Sequence, residues 1–237
     1  MTRYIIMFNL KKQWRQNRQN PIKNMKTRYF TPDNIETKSK EIIDSLNIKK
    51  NRIKYFPENS ALLILDMQKY FLQEKSHAFI PGASAIVTAI KRLADAYLNR
   101  DLPVIITRHI NSDENAGVMA EWWEDIIREE DELSTIIPEL DLKGTVVINK
   151  SQYDAFYKTR LDNILKINGV KQLVITGVMT HLCCETTARS AFVQGFQVFF
   201  PVDGTATYNE EFHRASFLNL SHGFAVPVLT EELLKYL

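Results

Sequence analysis

The sequence has only two cysteines among its 237 residues, and these are neighbours, Cys183 and Cys184. Adjacent residues do not meet ordinary disulfide geometry, so a disulfide framework is excluded and a reducing compartment, the cytoplasm, is predicted. Long apolar runs are also missing, because no stretch approaches the roughly 20 residues that a membrane-spanning helix needs. The apolar stretch at residues 4–10 is short and ends at Lys11 without a small-residue cleavage site, so we expect no secretory signal.

Acidic residues are absent from the beginning of the chain. Residues 1–32 carry eight lysines or arginines and no aspartate or glutamate. Such a head could contact nucleic acid or an anionic membrane, serve as a transit peptide, or be a disordered leader before a natural start at Met25. The remaining 205 residues hold 22 basic and 28 acidic side chains, and this balance argues against nucleic acid as a partner of the folded domain.

Short apolar runs alternate with amphipathic stretches from residue 61 onward. Runs of β-branched residues without period-two alternation indicate strands buried on both faces, as in a parallel sheet. Six such runs predict strands at residues 61–65, 104–107, 145–148, 173–176, 197–200 and 226–229. Apolar residues at helical spacing predict helices at residues 84–99, 118–130, 159–167, 184–194 and 210–222. This alternation predicts an α/β fold, a doubly wound three-layer sandwich with a mainly parallel six-stranded sheet.

Three regions are predicted along the chain. They are a basic, disordered leader, a helical N-terminal arm and the α/β domain, over residues 1–30, 31–58 and 59–237. In the arm, Thr31 or Asp33 is placed to cap a helix that carries Ile42 among its apolar residues. We expect this helix to pack along the core, with a contact to a second subunit as the alternative.

Three residues with complementary chemistry follow separate predicted strands. Asp66 ends the first strand, Lys150 follows the third, and Cys183 opens the helix after the fourth. In a doubly wound sheet the ligand crevice lies beyond the carboxyl ends of the strands, so these side chains are expected at one edge. A cysteine, a carboxylate and a lysine at such an edge indicate nucleophilic catalysis assisted by a general base.

Cys183 lies where a strand ends at Thr176, a turn follows at Gly177 and a helix is predicted to begin. Free N–H groups and the helix dipole at such a position favour thiolate over thiol, and the same N–H groups can hold an oxyanion. The alternative is that Cys183 is a small core residue. Cys184 competes for the role, but one residue further along a helix points about 100° away, which places it toward the core.

Asp66 and Lys150 each have a structural alternative. A carboxylate after a buried strand must be paired, hydrogen-bonded or protonated, so Asp66 could simply cap a nearby helix. Lys150 could be a solvated residue at the edge of the sheet. Beside a cysteine, however, Asp66 would act as general base toward the thiol, and the charge of Lys150 would stabilise both the thiolate and the carboxylate.

Three segments carry a resemblance to a known family. They are residues 62–71 around Asp66, the Lys150 segment with Tyr153 and Phe156, and residues 176–191. In this order and spacing, residues 58–233 resemble the isochorismatase-like superfamily, which includes nicotinamidases, ureidoacrylate and biuret hydrolases, N-carbamoylsarcosine amidase and isochorismatase. The resemblance implies that residues 59–237 form an isochorismatase-like hydrolase domain, and that the protein is a homo-oligomer, a dimer or tetramer.

The same resemblance assigns roles within the site. It implies that Cys183 is the nucleophile, Asp66 the proton shuttle and Lys150 its electrostatic partner. It also implies a cis peptide between Val178 and Met179, which would aim the amides of Met179 and Cys183 at the oxyanion. The predicted reaction is cleavage of a C–N bond in a small amide or ureide through a thioester intermediate.

Differences between this sequence and individual family members narrow the predicted cofactor and reaction. Nicotinamidases bind a metal through an Asp-x-His pair and a later histidine, but the matching loop at residues 107–113 offers only His109. We therefore predict no metal and no other cofactor. Isochorismatases resemble this chain in Thr180, His181 and Leu182 but carry glycine where this chain has Cys183, so a vinyl ether hydrolase is one alternative. A catalytically silent scaffold of the same fold is another.

Residues that flank the predicted catalytic positions are candidates for contacting a small-molecule substrate. They are Gln68, Phe71, His109, Tyr153, Phe156, Thr180 and His181. For His109 a structural hydrogen bond is an equal alternative. Of the neighbouring Trp122 and Trp123, one is expected to wall the pocket or a subunit contact while the other packs. Neither nucleic acid nor a membrane is an expected partner.

Overall fold

The computed structural model describes residues 25–46, 53–123 and 125–237. The leader predicted for residues 1–30 lies outside the described residues up to position 24. Tyr29 and Phe30, at its end, are buried in the main hydrophobic core. The described fold therefore reaches further toward the N-terminus than the predicted arm, and the division of the chain into leader, arm and domain stays a prediction.

A parallel sheet forms the centre of the molecule. In the described residues its seven strands are β1 (Ser60–Leu65), β2 (Val104–His109), β3 (Val146–Lys150), β4 (Gln172–Val178), β5 (Gln197–Pro201), β6 (Thr205–Ala206) and β7 (Ala225–Val228). Six of them follow the order β3-β2-β1-β4-β5-β7, and each neighbouring pair is parallel. Every residue of β1 and β4 is buried, as their continuous apolar runs indicate. The predicted α/β sheet is confirmed.

The short strand β6 was not predicted. It pairs with the end of β4, where Gly177 lies opposite Thr205 and Val178 lies opposite Ala206. Two residues are too few to form a recognisable apolar run, so hydrophobic patterning carries no signal for this strand.

Eight α-helices in the described residues connect and cover the strands. They are α1 (Ile35–Ser45), α2 (Lys69–Leu72), α3 (Ala83–Leu98), α4 (Met119–Trp123), α5 (Leu161–Ile167), α6 (Glu185–Val193), α7 (Glu210–Gly223) and α8 (Thr230–Leu234). The predicted positions of α3, α5, α6 and α7 are confirmed. α3 buries Ile86, Ile90 and Leu93, whose helical spacing predicted it. None of the helices in this part of the chain is long and apolar enough to cross a bilayer.

The strand order determines which faces the helices cover. β1 leads through α3 to β2 on one side, whereas β4 leads through α6 to β5 on the other side. Such crossovers are right-handed. Because the two connections run in opposite directions along the sheet, their helices lie on opposite faces of it. The winding reverses between β1 and β4, and in folds of this kind the crevice beyond those strand ends is where ligands bind.

The prediction of a helix over residues 118–130 is wrong beyond the first turn. α4 ends at Trp123 and residues 125–131 are not helical, while residue 124 lies outside the described residues. The backbone of this stretch bonds elsewhere, because the carbonyl of Ile127 accepts a hydrogen bond from the N–H of Asn111 at 2.7 Å. This hydrogen bond to the preceding loop thus takes the place of a hydrogen bond within a further helical turn.

The N-terminal helix begins differently from the prediction. Asn34, rather than Thr31 or Asp33, occupies the cap position of α1. Its Oδ1 accepts a hydrogen bond from the N–H of Thr31 at 2.8 Å, and its Nδ2 donates to the carbonyl of Tyr29 at 3.1 Å. Ile42 on this helix is fully buried in the core, so the helix packs along the domain as expected.

Candidate active site

Side chains from three strand ends meet in the crevice beside β1 and β4. Asp66 follows β1 directly, Lys150 is the last residue of β3, and Cys183 lies in a π-helical turn, Thr180–Cys184, after β4. Lys150 Nζ is 2.8 Å from Asp66 Oδ2 and 3.3 Å from Cys183 Sγ. Asp66 Oδ1 accepts a further hydrogen bond from Thr107 Oγ1 at 2.6 Å. The structure therefore brings the three predicted catalytic residues into one contact cluster.

Gly177 allows the two central strands to approach closely enough for this contact. It has a φ of +104°, and a Cβ atom at this position would lie 2.1 Å from the carbonyl oxygen of Leu65. Only glycine fits both the approach and the backbone conformation. Asp66 also has a positive φ, 53°, which aspartate tolerates better than most residues. These two positions set the distance between the carboxylate and the cysteine turn.

Asp66 and Lys150 form an ion pair whose side chains are fully shielded from solvent. Burial works most strongly against the charge of Asp66, but Lys150, His109 and the hydrogen bond with Cys183 together outweigh it and hold the pKa of the carboxyl below its usual value. Burial also works against the ammonium, but its contacts with Asp66 and Cys183 together outweigh burial and raise the pKa of Lys150. Both members of the pair are therefore charged at rest.

The thiol of Cys183 is neutral in this setting. Burial raises its pKa to about 12, because the attraction of Lys150 does not compensate for desolvation and for the nearby carboxylate of Asp66. The prediction that the sulfur is held as a thiolate is therefore wrong. The physical reason is that burial disfavours the thiolate, and Asp66 already neutralises the lysine that would otherwise stabilise it.

The segment between β4 and α6 shapes the backbone around the cysteine. The peptide bond between Val178 and Met179 is cis, which is the bond where the family resemblance places one. In the π-helical turn that follows, the carbonyl of Met179 accepts hydrogen bonds from the N–H groups of Leu182 at 3.1 Å and Cys184 at 3.2 Å. The α-helix begins at Glu185, one residue after the predicted range and two residues after Cys183, which was expected to open it. Such π-helical turns are rare and are frequent at functional sites.

A small cavity reaches Cys183. Its volume is about 60 Å³, and since one water molecule needs roughly 10–15 Å³ of such space, it suits a small molecule and not a peptide. The lining is largely apolar and aromatic, and it includes Tyr70, Phe71, His109, Asn111, Trp123, Tyr153, Met179, Leu182, Cys183 and Tyr208. Among the predicted substrate contacts, Phe71, His109 and Tyr153 line this cavity.

Gln68 and Phe156, which were also predicted to contact substrate, lie outside the cavity lining. Gln68 holds the backbone of His109, because its Oε1 accepts from the N–H at 2.7 Å and its Nε2 donates to the carbonyl at 3.1 Å. Phe156 stacks against Phe196 with ring centroids 5.9 Å apart. Gln68 therefore supports the wall of the site through His109, whereas Phe156 packs against another aromatic ring.

Thr180 and His181 likewise face the domain interior instead of the cavity. Thr180 is fully buried, and its Oγ1 is 3.0 Å from Nδ1 of His213. The ring of His181 stacks on that of Phe212 with centroids 4.5 Å apart, and its Nδ1 is 2.6 Å from Oγ1 of Thr207. Of the segment that this chain shares with isochorismatases, Thr180 and His181 are thus used for packing, whereas Leu182 lines the cavity.

Part of the cavity wall has no counterpart among the predicted substrate contacts. Trp123 lines the cavity and donates from Nε1 to the hydroxyl of Tyr153 at 2.7 Å, whereas Trp122 is 74% exposed. Asn111 could have been found, because it lies two residues beyond His109 in an extended loop and so shares its side of the chain. No sequence signal marks Tyr208, which follows β6.

One group of donor atoms lies close enough together to be considered as a metal site. Oxygen, nitrogen and sulfur atoms of Asp66, His109 and Cys183 lie within 4.8 Å of one another. The ammonium of Lys150 already contacts all three side chains, at 2.8, 3.2 and 3.3 Å respectively. Both ring nitrogens of His109 are engaged, Nδ1 by Lys150 and Nε2 by Asn111. These residues surround an ammonium and do not fit a metal ion, which needs an imidazole lone pair of its own.

Comparison with known proteins places the chain in a family. A family model for the isochorismatase domain matches residues 60–232. The chain is 42% identical to nicotinamidase 3 of Arabidopsis thaliana over 183 residues, which cover 75% of this chain and 88% of that protein. It is 31% identical to enterobactin synthase component B of Escherichia coli (strain K12) over 197 residues, which cover 81% of this chain and 68% of that protein.

A solved structure shows the same arrangement of strands and helices. The crystal structure of a cysteine hydrolase from Pseudomonas syringae pv. phaseolicola 1448A superimposes with a TM-score of 0.75 at 25% identity, covering 78% of this chain and 95% of that one. The family match extends over most of the chain, including the strand ends that carry Asp66, Lys150 and Cys183. The chain therefore belongs to the isochorismatase family and is a hydrolase of that family.

Proposed function

We propose that this chain is a cysteine amidohydrolase that cleaves a C–N bond of a small amide or ureide through a thioester intermediate. One observation carries the proposal, the contact of Lys150 with both Asp66 and Cys183 beside a small apolar cavity. A thiol, a base and a cation within contact distance are the parts that nucleophilic acyl transfer needs. The similarity to a nicotinamidase, a C–N hydrolase, adds support.

The first half of the reaction moves one proton and forms one bond. Asp66, ionised at rest, accepts the proton of Cys183 while the sulfur attacks the carbonyl carbon of the substrate. Because Cys183 is protonated at rest, this proton transfer accompanies the attack and does not precede it. The negative charge passes from the carboxylate through the sulfur to the carbonyl oxygen. Lys150 stays positively charged and stabilises this negative charge throughout.

The second half breaks the C–N bond and regenerates the thiol. The amides of Met179 and Cys183 are the proposed donors to the oxyanion, since the start of a helix leaves N–H groups without intrahelical partners. As the tetrahedral intermediate collapses, ammonia or an amine leaves with the proton held by Asp66. Water, deprotonated by Asp66, then hydrolyses the thioester, which releases the acid and returns a proton to the sulfur.

The cavity favours a planar acyl group. Rings of Phe71, Trp123 and Tyr153 contribute to its walls, and its volume is about 60 Å³. Aromatic walls stabilise a flat substrate through stacking and burial of apolar area. Nicotinamide, which the name of the Arabidopsis relative indicates as a substrate of that protein, has this shape.

The vinyl ether alternative draws on the segment shared with isochorismatases. Of the three residues that carry that similarity, Thr180 and His181 lie outside the cavity lining, and Leu182 lines it with an apolar side chain. Ether hydrolysis of that kind would also leave Cys183 without a use. Both features favour amide chemistry for this chain.

The test is an ammonia-release screen with nicotinamide, ureides, biuret, carbamoyl amino acids and maleamate, and with isochorismate and pyruvate detection as a separate arm. We expect ammonia release and, after rapid quenching, an acyl adduct on Cys183 in the intact mass. Cys183→Ala should lose both. The matched control is Cys184→Ala. The thiol of Cys184 points to the carbonyl of Thr176, so this variant should keep most of the activity. Full turnover by Cys183→Ala, or pyruvate release alone, would contradict the proposal.

A further inference from the structure

The ammonium of Lys150 contacts more than its two proposed catalytic neighbours. Its Nζ lies 3.2 Å from Nδ1 of His109 and 2.9 Å from the carbonyl of Gln152. An ammonium has N–H donors and no acceptor, so the nitrogen of His109 that faces it offers a lone pair. Burial, together with the charge of Lys150, lowers the pKa of His109 to about 4, and the ring is therefore neutral.

Asn111 fixes which nitrogen of that ring carries the proton. Its Nδ2 donates to the carbonyl of Ser151 at 2.9 Å and to Oδ1 of Asn115 at 3.3 Å. These two acceptors orient the amide so that its Oδ1 is the atom 2.9 Å from Nε2 of His109. Because an amide oxygen can only accept, Nε2 carries the hydrogen and Nδ1 is left as the acceptor for Lys150.

The backbone closes this chain of hydrogen bonds into a ring. Ser151, whose carbonyl orients Asn111, follows Lys150 directly in the sequence. The N–H of Ile110 donates to the carbonyl of Lys150 at 2.9 Å, which fixes β2 against the end of β3. The lysine, the imidazole and the amide thus hold one another through side chain and main chain, with no part left to turn freely.

We propose that His109 and Asn111 are positioning residues that keep the ammonium of Lys150 directed at both Asp66 and Cys183. The inference rests on the proposed thioester mechanism. An ammonium paired with Asp66 alone could rotate its remaining N–H groups away from the sulfur. The acceptors on His109 and Gln152 occupy that side of the ammonium, so that it stays between the carboxylate and the thiol.

Asn111→Asp tests this role because it changes the pKa of the His109 ring while the side chain at position 111 keeps nearly the same size. A carboxylate beside Nε2 raises the pKa of His109, and below that pKa an imidazolium faces the ammonium of Lys150. The other titratable groups close to the ring, Asp66, Lys150 and Cys183, are unchanged. We expect kcat to fall on the acid side, by at least about tenfold at pH 5 relative to wild type, while KM changes by less than about threefold.

Two comparisons keep this test specific. Asn163→Asp makes the same chemical change at an exposed position of α5 and should keep the pH profile of the wild type. His109→Gln retains an oxygen that can accept from Lys150 and should keep more of the kcat than His109→Ala. A uniformly reduced but unshifted profile for Asn111→Asp, or wild-type kcat for His109→Ala, would overturn the inference.

A measurement that does not depend on turnover separates this inference from the proposed function. The chain has five histidines, so nitrogen NMR of ¹⁵N-histidine-labelled protein can assign His109 by its loss in His109→Gln. We expect a neutral ring with the proton on Nε2 in the wild type. A proton on Nδ1 would overturn the positioning role even in an enzyme that releases ammonia. The expected tautomer without any ammonia release would contradict the proposed function alone.

Discussion

Two buried polar clusters lie at opposite ends of β1, and they differ in charge. At the amino end, Ser60 Oγ is 2.7 Å from the hydroxyl of Tyr97, which is 2.5 Å from the hydroxyl of Tyr55. At the carboxyl end, Asp66 is paired with Lys150. Hydroxyl groups both donate and accept, so the first cluster satisfies itself. The second depends on two opposite charges staying together.

This difference in charge suits the neutral cluster to a role in stability and the charged cluster to a role in chemistry. Burial raises the pKa of both Tyr55 and Tyr97, so nothing in the neutral cluster changes its charge near neutral pH. A buried ion pair adds little net stability, but leaving one partner alone is strongly destabilising. Substitutions at the two ends of β1 should therefore affect different measurements.

The largest effect is expected from Lys150→Met, which removes the charge and keeps most of the side-chain length. It leaves the carboxylate of Asp66 buried without its partner, which should lower the free energy of unfolding by about 3–5 kcal/mol at neutral pH. Ammonia release should fall by several orders of magnitude, because members of a catalytic triad act as a unit. Urea unfolding and the ammonia assay measure the two losses separately.

A double variant, Asp66→Asn with Lys150→Met, serves as the control for that experiment. It should regain most of the stability without regaining activity, because no isolated charge is then buried. If the double variant were as unstable as Lys150→Met, the loss would have to come from packing and not from an unpaired carboxylate.

A smaller effect is expected from Tyr97→Phe at the neutral end. It removes one hydroxyl and leaves the hydroxyls of Tyr55 and Ser60 with one partner fewer, which should cost about 1–3 kcal/mol of unfolding free energy. The kcat/KM for the amide substrate should stay within about twofold of the wild type, since this cluster lies at the far end of β1. A large loss of activity in a folded Tyr97→Phe protein would erase the contrast between the two ends.

The smallest effect concerns acid stability. The folded-state pKa of Asp66 is lowered, so its contribution to stability is complete above the unfolded value of about 4 and is lost as pH falls through the lowered value. The wild type should therefore lose stability relative to the Asp66→Asn/Lys150→Met double variant below about pH 4, with a constant difference from about pH 5 to 7. Tyr97→Phe should follow the wild type throughout this range. Urea midpoints measured at each pH test this, and parallel curves for wild type and double variant would contradict a charged Asp66.

The position of the cluster that holds the proposed catalytic residues could be predicted from the sequence because it depends on local patterns. Apolar runs mark the strands, and a parallel sheet brings the carboxyl ends of its strands to one edge. Asp66, Lys150 and Cys183 were found in this way. The charge state of Cys183 could not be found, since it depends on the contact between Asp66 and Lys150, which no spacing in the sequence reveals.

Substrate contacts were harder to predict for a related reason. Proximity in sequence to a catalytic residue does not determine where a side chain points. Gln68 holds a backbone and His181 packs on a neighbouring ring, although both adjoin predicted catalytic segments. Trp123 could be separated from Trp122 only with the correct end of α4, and that end is set by a tertiary hydrogen bond between Ile127 and Asn111.

The neutral thiol of Cys183 has a consequence for the durability of the protein. Peroxide oxidises thiolates far faster than thiols, and a sulfur that stays protonated between reaction cycles offers little of the susceptible form. Only 6% of this residue is exposed, which restricts access by oxidants still further. In the proposed mechanism Cys183 becomes reactive only while a substrate carbonyl is present, so the sulfur would be shielded from irreversible damage when the cavity holds no substrate.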